Sequence, residues 1–292
     1  MIGPGAGVVS QIWRYPVKSM GGERVQQALI GVDGIGGDRV WAVSDRATGR
    51  ILSAKHHPAL LGAVARYLDG TGDVAVTLPD GSTAVAGSAE LDEQVSRWLG
   101  MEAELVPRSP GVVSRFEMDV DDGTLDETPV PRTGPWVLRT GPWVLRTGPW
   151  VLRTVPGWFF DGRSPIHLLT SSSLAAAGSY HPDGMWDVRR FRPNLLVETG
   201  SLDPGFVEDG WLDQTLEVGE LRLWLRKACD RCVMTTRAQP GLDEDRTVMR
   251  TLVARHGGNL GVLANPISVG TVAEGDRPVL VPTTARPDIP NR

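Results

Sequence analysis

Residues 63–78, AVARYLDGTGDVAVTL, place two short apolar runs on either side of a Gly-Thr-Gly turn. Short segments rich in Val and Tyr and separated by glycine are typical of antiparallel strands. The same pattern holds at residues 8–15 and 39–44, and turns are predicted at 47–50 and 79–81. This part of the chain therefore predicts several short strands that form a sandwich or a partly closed barrel.

Two later segments have helical periodicity instead. Residues 88–99 carry apolar side chains at helical spacing between a serine cap and a glycine, and residues 245–256 repeat this pattern before Gly257. A buried strand at residues 165–169 leads into a hydroxyl-capped helix start. Further strands are predicted at residues 191–197, 215–225, 260–263 and 278–281. The chain as a whole predicts a β-rich α+β fold.

Composition limits the classes of function. The chain has 292 residues, 41% of them hydrophobic, a net charge of -5 and two cysteines. An acidic chain lacks the broadly basic surface that dominates nucleic-acid affinity, and two cysteines cannot form a disulfide scaffold. The sequence has no signal-like start and no apolar run of membrane-spanning length. We expect a soluble cytoplasmic protein with no nucleic-acid or membrane partner.

An acidic run at residues 117–127 and a tandem repeat separate the two halves. The heptapeptide TGPWVLR occurs three times over residues 133–153. Gly-Pro in each unit breaks helices, so each unit predicts a turn plus an extended piece of three or four residues. We interpret the repeat as a duplication tolerated in an exposed linker, with a Trp and Arg interaction surface as the alternative. The predicted divisions are an N-terminal module at 6–115, a linker at 116–160, a C-terminal domain at 161–284 and a tail at 285–292.

Both cysteines lie in one stretch, ACDRCVMTTRAQPG at residues 228–241. The thiolate is the reactive and metal-binding form, and Arg231 beside Cys232 supplies positive charge that favours it. The spacing from Cys229 to Cys232 is by itself compatible with zinc binding, with thiol–disulfide exchange and with two buried apolar side chains. No second cysteine pair and no paired histidines at ligand spacing accompany it.

Cationic residues gather at other points of the chain. Three arginines occupy four positions at residues 189–192, and Pro193 favours an extended backbone at Arg192. Lys18 and Arg39 lie beside glycine-containing turns. Separate basic clusters beside strands can converge on a phosphate, whose oxygens an arginine fork binds in pairs. Surface salt bridges are the alternative for any one of them.

Five motifs in chain order link these clusters. They are IWRYPVKSMGG at residues 12–22, GGDRVWAV at 36–43, HLLTSSSLA at 167–175, RRFRPNLLVE at 189–198 and CDRCVMTT at 229–236. Together they resemble the MOSC proteins that carry an N-terminal β-barrel module, and most closely the mitochondrial amidoxime-reducing components and their bacterial relatives. The resemblance implies a MOSC β-barrel domain preceded by a smaller β-barrel-like module.

The resemblance also implies a molybdenum–molybdopterin cofactor, with Cys232 as metal ligand and catalytic residue. Cys229 is then a neighbour of the site. Leu260 stands where the amidoxime reducers carry a tyrosine. The implied cofactor-binding residues are Lys18, Ser19, Arg39, Thr170, Ser171, Ser172, Arg192, Asn194, Asp230 and Arg231.

The activity implied by the resemblance is reduction of N-hydroxylated small molecules such as amidoximes and hydroxylamines. No cysteine follows Cys232, so we expect a separate iron–sulfur, flavin or haem protein to supply the electrons. Two alternatives stay open. One is sulfur transfer through a persulfide on Cys232, and the other is a non-enzymatic molybdopterin carrier.

Overall fold

The computed structural model describes residues 5–109, 115–117, 137–138, 144–145, 151–153, 159, 164–200 and 204–283 of the chain. The strands are β1 Val8–Arg14, β2 Glu23–Val25, β3 Gln27–Gly31, β4 Gly34–Ile35, β5 Trp41–Asp45, β6 Arg50–Ile51, β7 Val64–Tyr67, β8 Val74–Thr77, β9 Thr83–Val85, β10 Ala103–Pro107, β11 Arg115–Glu117, β12 Val137–Leu138, β13 Val144–Leu145, β14 Val151–Arg153, β15 Ile166–Thr170, β16 Leu195–Glu198, β17 Gln214–Val218, β18 Leu221–Asp230, β19 Asn259–Pro266, β20 Gly270–Ala273 and β21 Val279–Pro282. The α-helices are α1 Ala89–Leu99, α2 Ser171–Tyr180, α3 Val188–Phe191 and α4 Arg246–His256, and short 3₁₀ helices cover Pro58–Gly62, Val207–Trp211 and Val233–Thr236.

The largest sheet has eight strands in the order β2-β1-β16-β15-β19-β18-β17-β21. Strands β15 and β16 run parallel, with Leu168 opposite Leu195, whereas the other neighbours are antiparallel. At one side β1 pairs with β16, so that Val9 lies opposite Val197. The predicted β-rich α+β class is confirmed, with a barrel-like N-terminal module and a larger C-terminal domain.

The hydrophobic core has two main parts, which do not follow the order of the chain. The N-terminal module packs its own core around residues such as Val17, Leu60 and Leu91. The core of the large sheet contains C-terminal residues together with Val9 and Ile30 from the start of the chain. The chain therefore begins in the large sheet, passes through the N-terminal module and returns. The domain boundaries predicted from the sequence stay a prediction.

Several predicted elements lie where the sequence places them. The opening stretch forms the antiparallel hairpin of β7 and β8, with Val64 opposite Thr77. Helix α1 begins after Ser88, whose Oγ accepts a hydrogen bond from the Leu91 amide at 3.2 Å, and it ends at Gly100 with a left-handed φ of 69°. Helix α4 is capped in the same way by Asp245 and Gly257. These caps satisfy backbone groups that a helix end leaves unpaired.

Two strand predictions are wrong in detail. Residues 191–197 do not form one strand, because Phe191 ends helix α3 and β16 begins only at Leu195. Arg192 has φ 52° and ψ 48° as the C-cap of α3, so the extended backbone expected before Pro193 is also wrong. The helix cap outweighs the local preference that proline imposes. Residues 215–225 divide into β17 and β18, which pair across a turn at Gly219 with φ 57°.

The tandem repeat lies mostly outside the described residues. Within it, the Val-Leu pair of each heptapeptide is extended, in β12, β13 and β14. Strand β12 pairs with β13, and β14 pairs with β11 beside the N-terminal module. The extended piece predicted in each unit is present but shorter than the three or four residues expected in β12 and β13, which have two residues each, and the predicted turns lie outside the described residues. Among the helices that the structure describes, none has the length and apolar content needed to cross a bilayer.

Candidate functional site

Four non-glycine residues in the described part of the chain have a positive φ, namely Ser19, Arg39, Arg192 and Asp213. The left-handed region costs a side chain of this kind about 1 kcal/mol or more, and it persists only where surrounding structure enforces it. Three of the four are residues that the family resemblance assigns to the cofactor. Strained backbone therefore coincides with the predicted site.

The turn that carries Lys18 and Ser19 links β1 to β2 and is held by hydrogen bonds to its neighbours. The Lys18 amide donates to the Trp41 carbonyl at 2.8 Å. The buried Ser19 hydroxyl accepts a hydrogen bond from the Ala54 amide at 3.1 Å. These contacts fix the turn against β5 and against the segment that follows β6.

Arg39 lies in the loop between β4 and β5. Hydrogen bonds join both Arg39 and the preceding Asp38 to the backbone of Tyr15. The Arg39 amide donates to the Tyr15 carbonyl at 2.7 Å, and the Tyr15 amide donates to the Asp38 carboxylate at 2.7 Å. The other oxygen of that carboxylate accepts a short hydrogen bond from the Arg39 guanidinium. The left-handed backbone at Arg39 is thus held by a buried acid and by Tyr15, which directly follows β1.

Arg192, a residue of the C-terminal domain, lies against Tyr15, as Arg39 does. Its buried guanidinium donates to the Met20 carbonyl at 2.5 Å and lies 4.2 Å from the centre of the Tyr15 ring. The Tyr15 hydroxyl in turn donates to the Pro193 carbonyl at 3.1 Å. Burial lowers the pKa of Arg192 to about 10, so this guanidinium stays charged at neutral pH. Tyr15 joins the two halves of the protein and supports an arginine from each.

Lys18 is the centre of a group of four cations that we call the Lys18 cluster: Lys18, Arg39, Lys55 and Arg192. Burial first, and then the charges of Arg39 and Arg192, lower the pKa of Lys18 to about 8, while Cys232 acts in the opposite direction and Lys55 lowers it further. The other three cations are therefore close enough to Lys18 to disfavour its protonated form. Such a cluster favours an anion.

Cys232 ends the segment that follows β18 and precedes the 3₁₀ turn Val233–Thr236. It is partly exposed, and its carbonyl accepts hydrogen bonds from the Thr235 amide and hydroxyl, both at 3.0 Å. Met234 on that turn packs against the core of the N-terminal module. The turn therefore fixes Cys232 beside the Lys18 cluster while the residue stays partly exposed.

Cys229 has different surroundings. It is buried, and Arg231 donates from Nη1 to its Sγ at 2.9 Å and from Nη2 to the Phe191 carbonyl at 2.8 Å. The Arg231 Nε is buried, and no hydrogen-bond partner for it lies among the described residues. Arg231 thus ties the cysteine segment to the end of α3, next to Arg192.

His167 is a buried histidine close to the cluster. Its Nε2 lies 3.2 Å from the Leu260 carbonyl. Burial, and then the charge of Arg231, lower the pKa of His167 to about 3, so the ring is neutral at physiological pH. The Leu260 side chain itself is fully buried in the core beside α2 and α4.

The hydroxyl-rich turn at the start of α2 makes contacts within the protein. Thr170 caps the helix and donates to the buried Glu208 carboxylate at 2.7 Å. Ser171 donates to Glu198 at 2.7 Å, and Ser172 donates to the Gly205 carbonyl at 2.9 Å. These hydroxyls already have acceptors, two of them carboxylates. Their assignment to a cofactor stays a prediction.

Asn194 and Asp230 also use their side chains locally. The Asn194 amide group accepts from the His167 amide at 3.1 Å and donates to the Trp13 carbonyl at 3.3 Å, which joins β15 to β1. Asp230 is exposed and pairs with Lys227 at 2.9 Å. Both cofactor assignments stay predictions. In the part of the chain that the structure describes, no three or more His, Cys, Asp or Glu side chains are grouped so that they could hold a metal ion.

Three residues of the site were missed by the sequence analysis: Tyr15, Lys55 and His167. Tyr15 and His167 do lie inside two of the five motifs, next to residues that were singled out. Lys55 lies in no motif, and its proximity to Lys18 depends on the fold of the N-terminal module. A buried aromatic between two arginines has no local sequence signal.

Comparison with models of protein families identifies the family of this chain. The model of the MOSC N-terminal beta barrel domain matches residues 6–106, and the model of the MOSC domain matches residues 144–278. The chain belongs to the MOSC-domain proteins and carries the N-terminal module. The predicted family is confirmed.

Solved structures with detectable similarity are distant. The YUAD protein from Bacillus subtilis is 9% identical, with 94% of each chain covered and a TM-score of 0.44. YiiM from Geobacillus stearothermophilus is 15% identical over 41% of this chain and 55% of that one, with a TM-score of 0.31. YiiM from Escherichia coli is 13% identical over 46% and 61%, with a TM-score of 0.33. A search of curated proteins finds no match.

Proposed function

We propose that this protein is a molybdenum-cofactor oxidoreductase that reduces N-hydroxylated compounds, such as amidoximes and hydroxylamines, to amidines and amines. The observation that carries the proposal is the convergence of Lys18, Arg39 and Arg192, from both halves of the chain, beside the partly exposed Cys232. Two of these three cations lie on left-handed backbone.

The residues fit a molybdopterin group on chemical grounds. Molybdenum accepts soft thiolate ligands, which Cys232 provides. The phosphate of the pterin needs cations, and Lys18 lies close enough to Arg39 and Arg192 for their charges, after burial, to lower its pKa. Arg39 and Arg192 offer planar donors suited to phosphate oxygens. When bound, the group supplies the two-electron redox chemistry.

The protein's own part is binding, orientation and control of protons. Reduction of an amidoxime takes up two electrons and two protons and releases water. Lys18, with a pKa of about 8, holds a proton on Nζ near Cys232 at neutral pH. Tyr15 and the Asp38 carboxylate keep Arg39 and Arg192 in place. We assign electron delivery to a separate iron–sulfur, flavin or haem protein.

Metal analysis tests the ligand assignment. Protein from a molybdopterin-competent host is compared with Cys232→Ala and with Cys229→Ser. We expect Cys232→Ala to lose molybdenum by at least about tenfold, the loss that even a residue supporting a ligand can cause. Cys229→Ser is the matched control and should retain it, because Cys229 contacts Arg231 instead. Full molybdenum in Cys232→Ala, or its loss in Cys229→Ser, contradicts the assignment.

A reduction assay tests the activity. Benzamidoxime is supplied to the loaded protein with an artificial electron donor, and formation of benzamidine is measured. Bound molybdenum with no benzamidine supports the carrier alternative. A sulfur that reductant removes from Cys232 supports the persulfide alternative instead.

A further inference from the structure

A groove of about 570 Å³ lies between the two halves of the protein. It is lined by Pro58, Ala59, Gly62 and Pro79 of the N-terminal module and by Arg237, Ala238, Gln239, Pro240 and Glu244 of the C-terminal domain. Proline, alanine and glycine give it flat apolar walls. Its volume is within the range of small-molecule sites.

Two hydrogen-bond donors in the groove lining lack acceptors. Arg237 Nε and Gln239 Nε2 are buried, and neither has a partner among the described residues. The backbone behind them is fixed, since the Arg237 carbonyl accepts from Arg190 at 3.2 Å and Gln239 forms a two-way backbone pair with Leu242. A buried donor without a hydrogen-bond acceptor is energetically unfavourable. Rotation of the terminal amide of Gln239 turns its N–H donors towards an acceptor in the groove.

The groove has little net charge. The Arg237 guanidinium lies 4.0 Å from the Glu244 carboxylate, which also pairs with Arg246 at 2.7 Å. One cation and one anion therefore face each other within the lining. Apolar walls, balanced charge and free N–H donors together suit an uncharged, flat organic group that carries a hydrogen-bond acceptor.

Both walls of the groove belong to segments that adjoin, along the chain, Cys232 or a residue of the Lys18 cluster. Arg237 directly follows the turn Val233–Thr236, which begins after Cys232. On the other side, Pro58 comes three residues after Lys55, whose charge acts on Lys18. A molecule seated in the groove therefore lies along the same two segments that present the thiol and the cations.

We propose that this groove binds the organic part of the substrate, an uncharged aromatic or aliphatic group with a hydrogen-bond acceptor, while the N-hydroxyl end points to Cys232. The inference rests on the proposed function for the identity of that end. Gln239 then determines specificity by donating to the acceptor, and Pro58, Ala59 and Pro79 select for shape.

Ligand binding without turnover tests the groove. Binding of benzamidoxime and of 4-carbamoylbenzamidoxime to the full-length protein is measured by calorimetry with no electron donor present. Ala59→Trp fills the groove from an exposed position, and we expect it to weaken both ligands by about tenfold or more. Ala47→Trp, at an exposed turn outside the groove lining, is the matched control and should bind as the wild type does.

The acceptor requirement is tested by Gln239→Leu, which keeps the side-chain size and removes the donor. We expect the carbamoyl ligand to bind about fivefold more weakly, as for one lost hydrogen bond, and benzamidoxime to be unchanged. Equal loss for both ligands would overturn the role of Gln239, and wild-type binding by Ala59→Trp would overturn the groove itself. Thermal melting of each variant confirms that it is folded.

Failure of the groove and failure of the proposed function give different results. Reduction of free hydroxylamine, which is too small to need the groove, measures the chemistry alone. If hydroxylamine is reduced while Ala59→Trp binds both ligands normally, the groove is wrong and the function stands. If binding responds to Ala59→Trp while no N-hydroxylated compound is reduced, the groove stands and the reductase activity is wrong.

Discussion

His167 is a buried neutral ring near cations, and its protonation links the stability of the fold to acid pH. It is 5% exposed, and its Nε2 lies against the Leu260 carbonyl. Burial and the Arg231 charge lower its pKa from 6.5 to about 3. Between those values the unfolded chain binds a proton that the folded chain excludes.

Replacement of His167 by glutamine should therefore reduce acid sensitivity. From pH 6.5 down to about 3, this one group lowers the free energy of unfolding by about 1.4 kcal/mol per pH unit. Glutamine does not titrate and can still donate to the Leu260 carbonyl. Denaturant unfolding at several pH values measures the difference in slope between wild type and His167→Gln. His181→Gln, outside the cluster, is the control, and an unchanged slope in His167→Gln would refute the role.

At the scale of elements, a bulge in strand β19 sets the position of the cysteine segment at the end of β18. Its register with β18 shifts between Ala228 and Asp230, where Leu260 and Gly261 lie opposite Cys229. Gly261 has φ 79°, and a Cβ there would lie 2.5 Å from His167 Nε2 and 2.6 Å from the Leu168 carbonyl oxygen. Such bulges redirect the end of a strand. Only glycine allows β19 to approach β15 this closely.

Gly261→Ala is expected to be far more damaging than an alanine at another left-handed glycine. Gly219 has φ 57° with open space around it, so Gly219→Ala should cost only about 1 kcal/mol of backbone strain. Gly261→Ala adds steric overlap and should lose at least about 3 kcal/mol in total, as overpacked cores do. Urea unfolding of both variants compares them. Equal stability would show that β19 can shift without cost.

At the scale of the whole molecule, the C-terminal domain depends on the first 35 residues. Strand β1 pairs with β16, and β3 pairs with β20. Ile12 and Ile30 are fully buried in the core of the large sheet. Without them, the edge of β16 and a large apolar surface are exposed, a condition that favours aggregation.

A fragment that begins at residue 116 should accordingly fail to fold as a stable monomer. The same fragment with residues 5–35 joined to its N-terminus restores β1 to β4 and should recover cooperative unfolding. Circular dichroism and analytical ultracentrifugation distinguish the two. A stable monomeric fragment without residues 5–35 would contradict this dependence.

Much of this protein was predictable from local sequence. The hairpin at residues 63–78, helices α1 and α4 with their caps, and the β-rich class follow from periodicity and from turn residues that act over a few positions. The five motifs predicted the family, which the family models confirm. The assignment of individual cofactor contacts stays a prediction.

The tertiary structure alone decided how distant segments meet. Nothing near Val9 indicates that it lies opposite Val197, because pairing of strands so far apart in the chain leaves no local pattern. The left-handed backbone at Arg192 opposes the local preference before proline, and it follows from the helix cap there. The lowered pKa of Lys18 likewise arises from burial and from charges brought in by three other segments. Sequence determined which groups the site contains, and folding determined their spacing and charge state, since both depend on contacts between residues far apart in the chain.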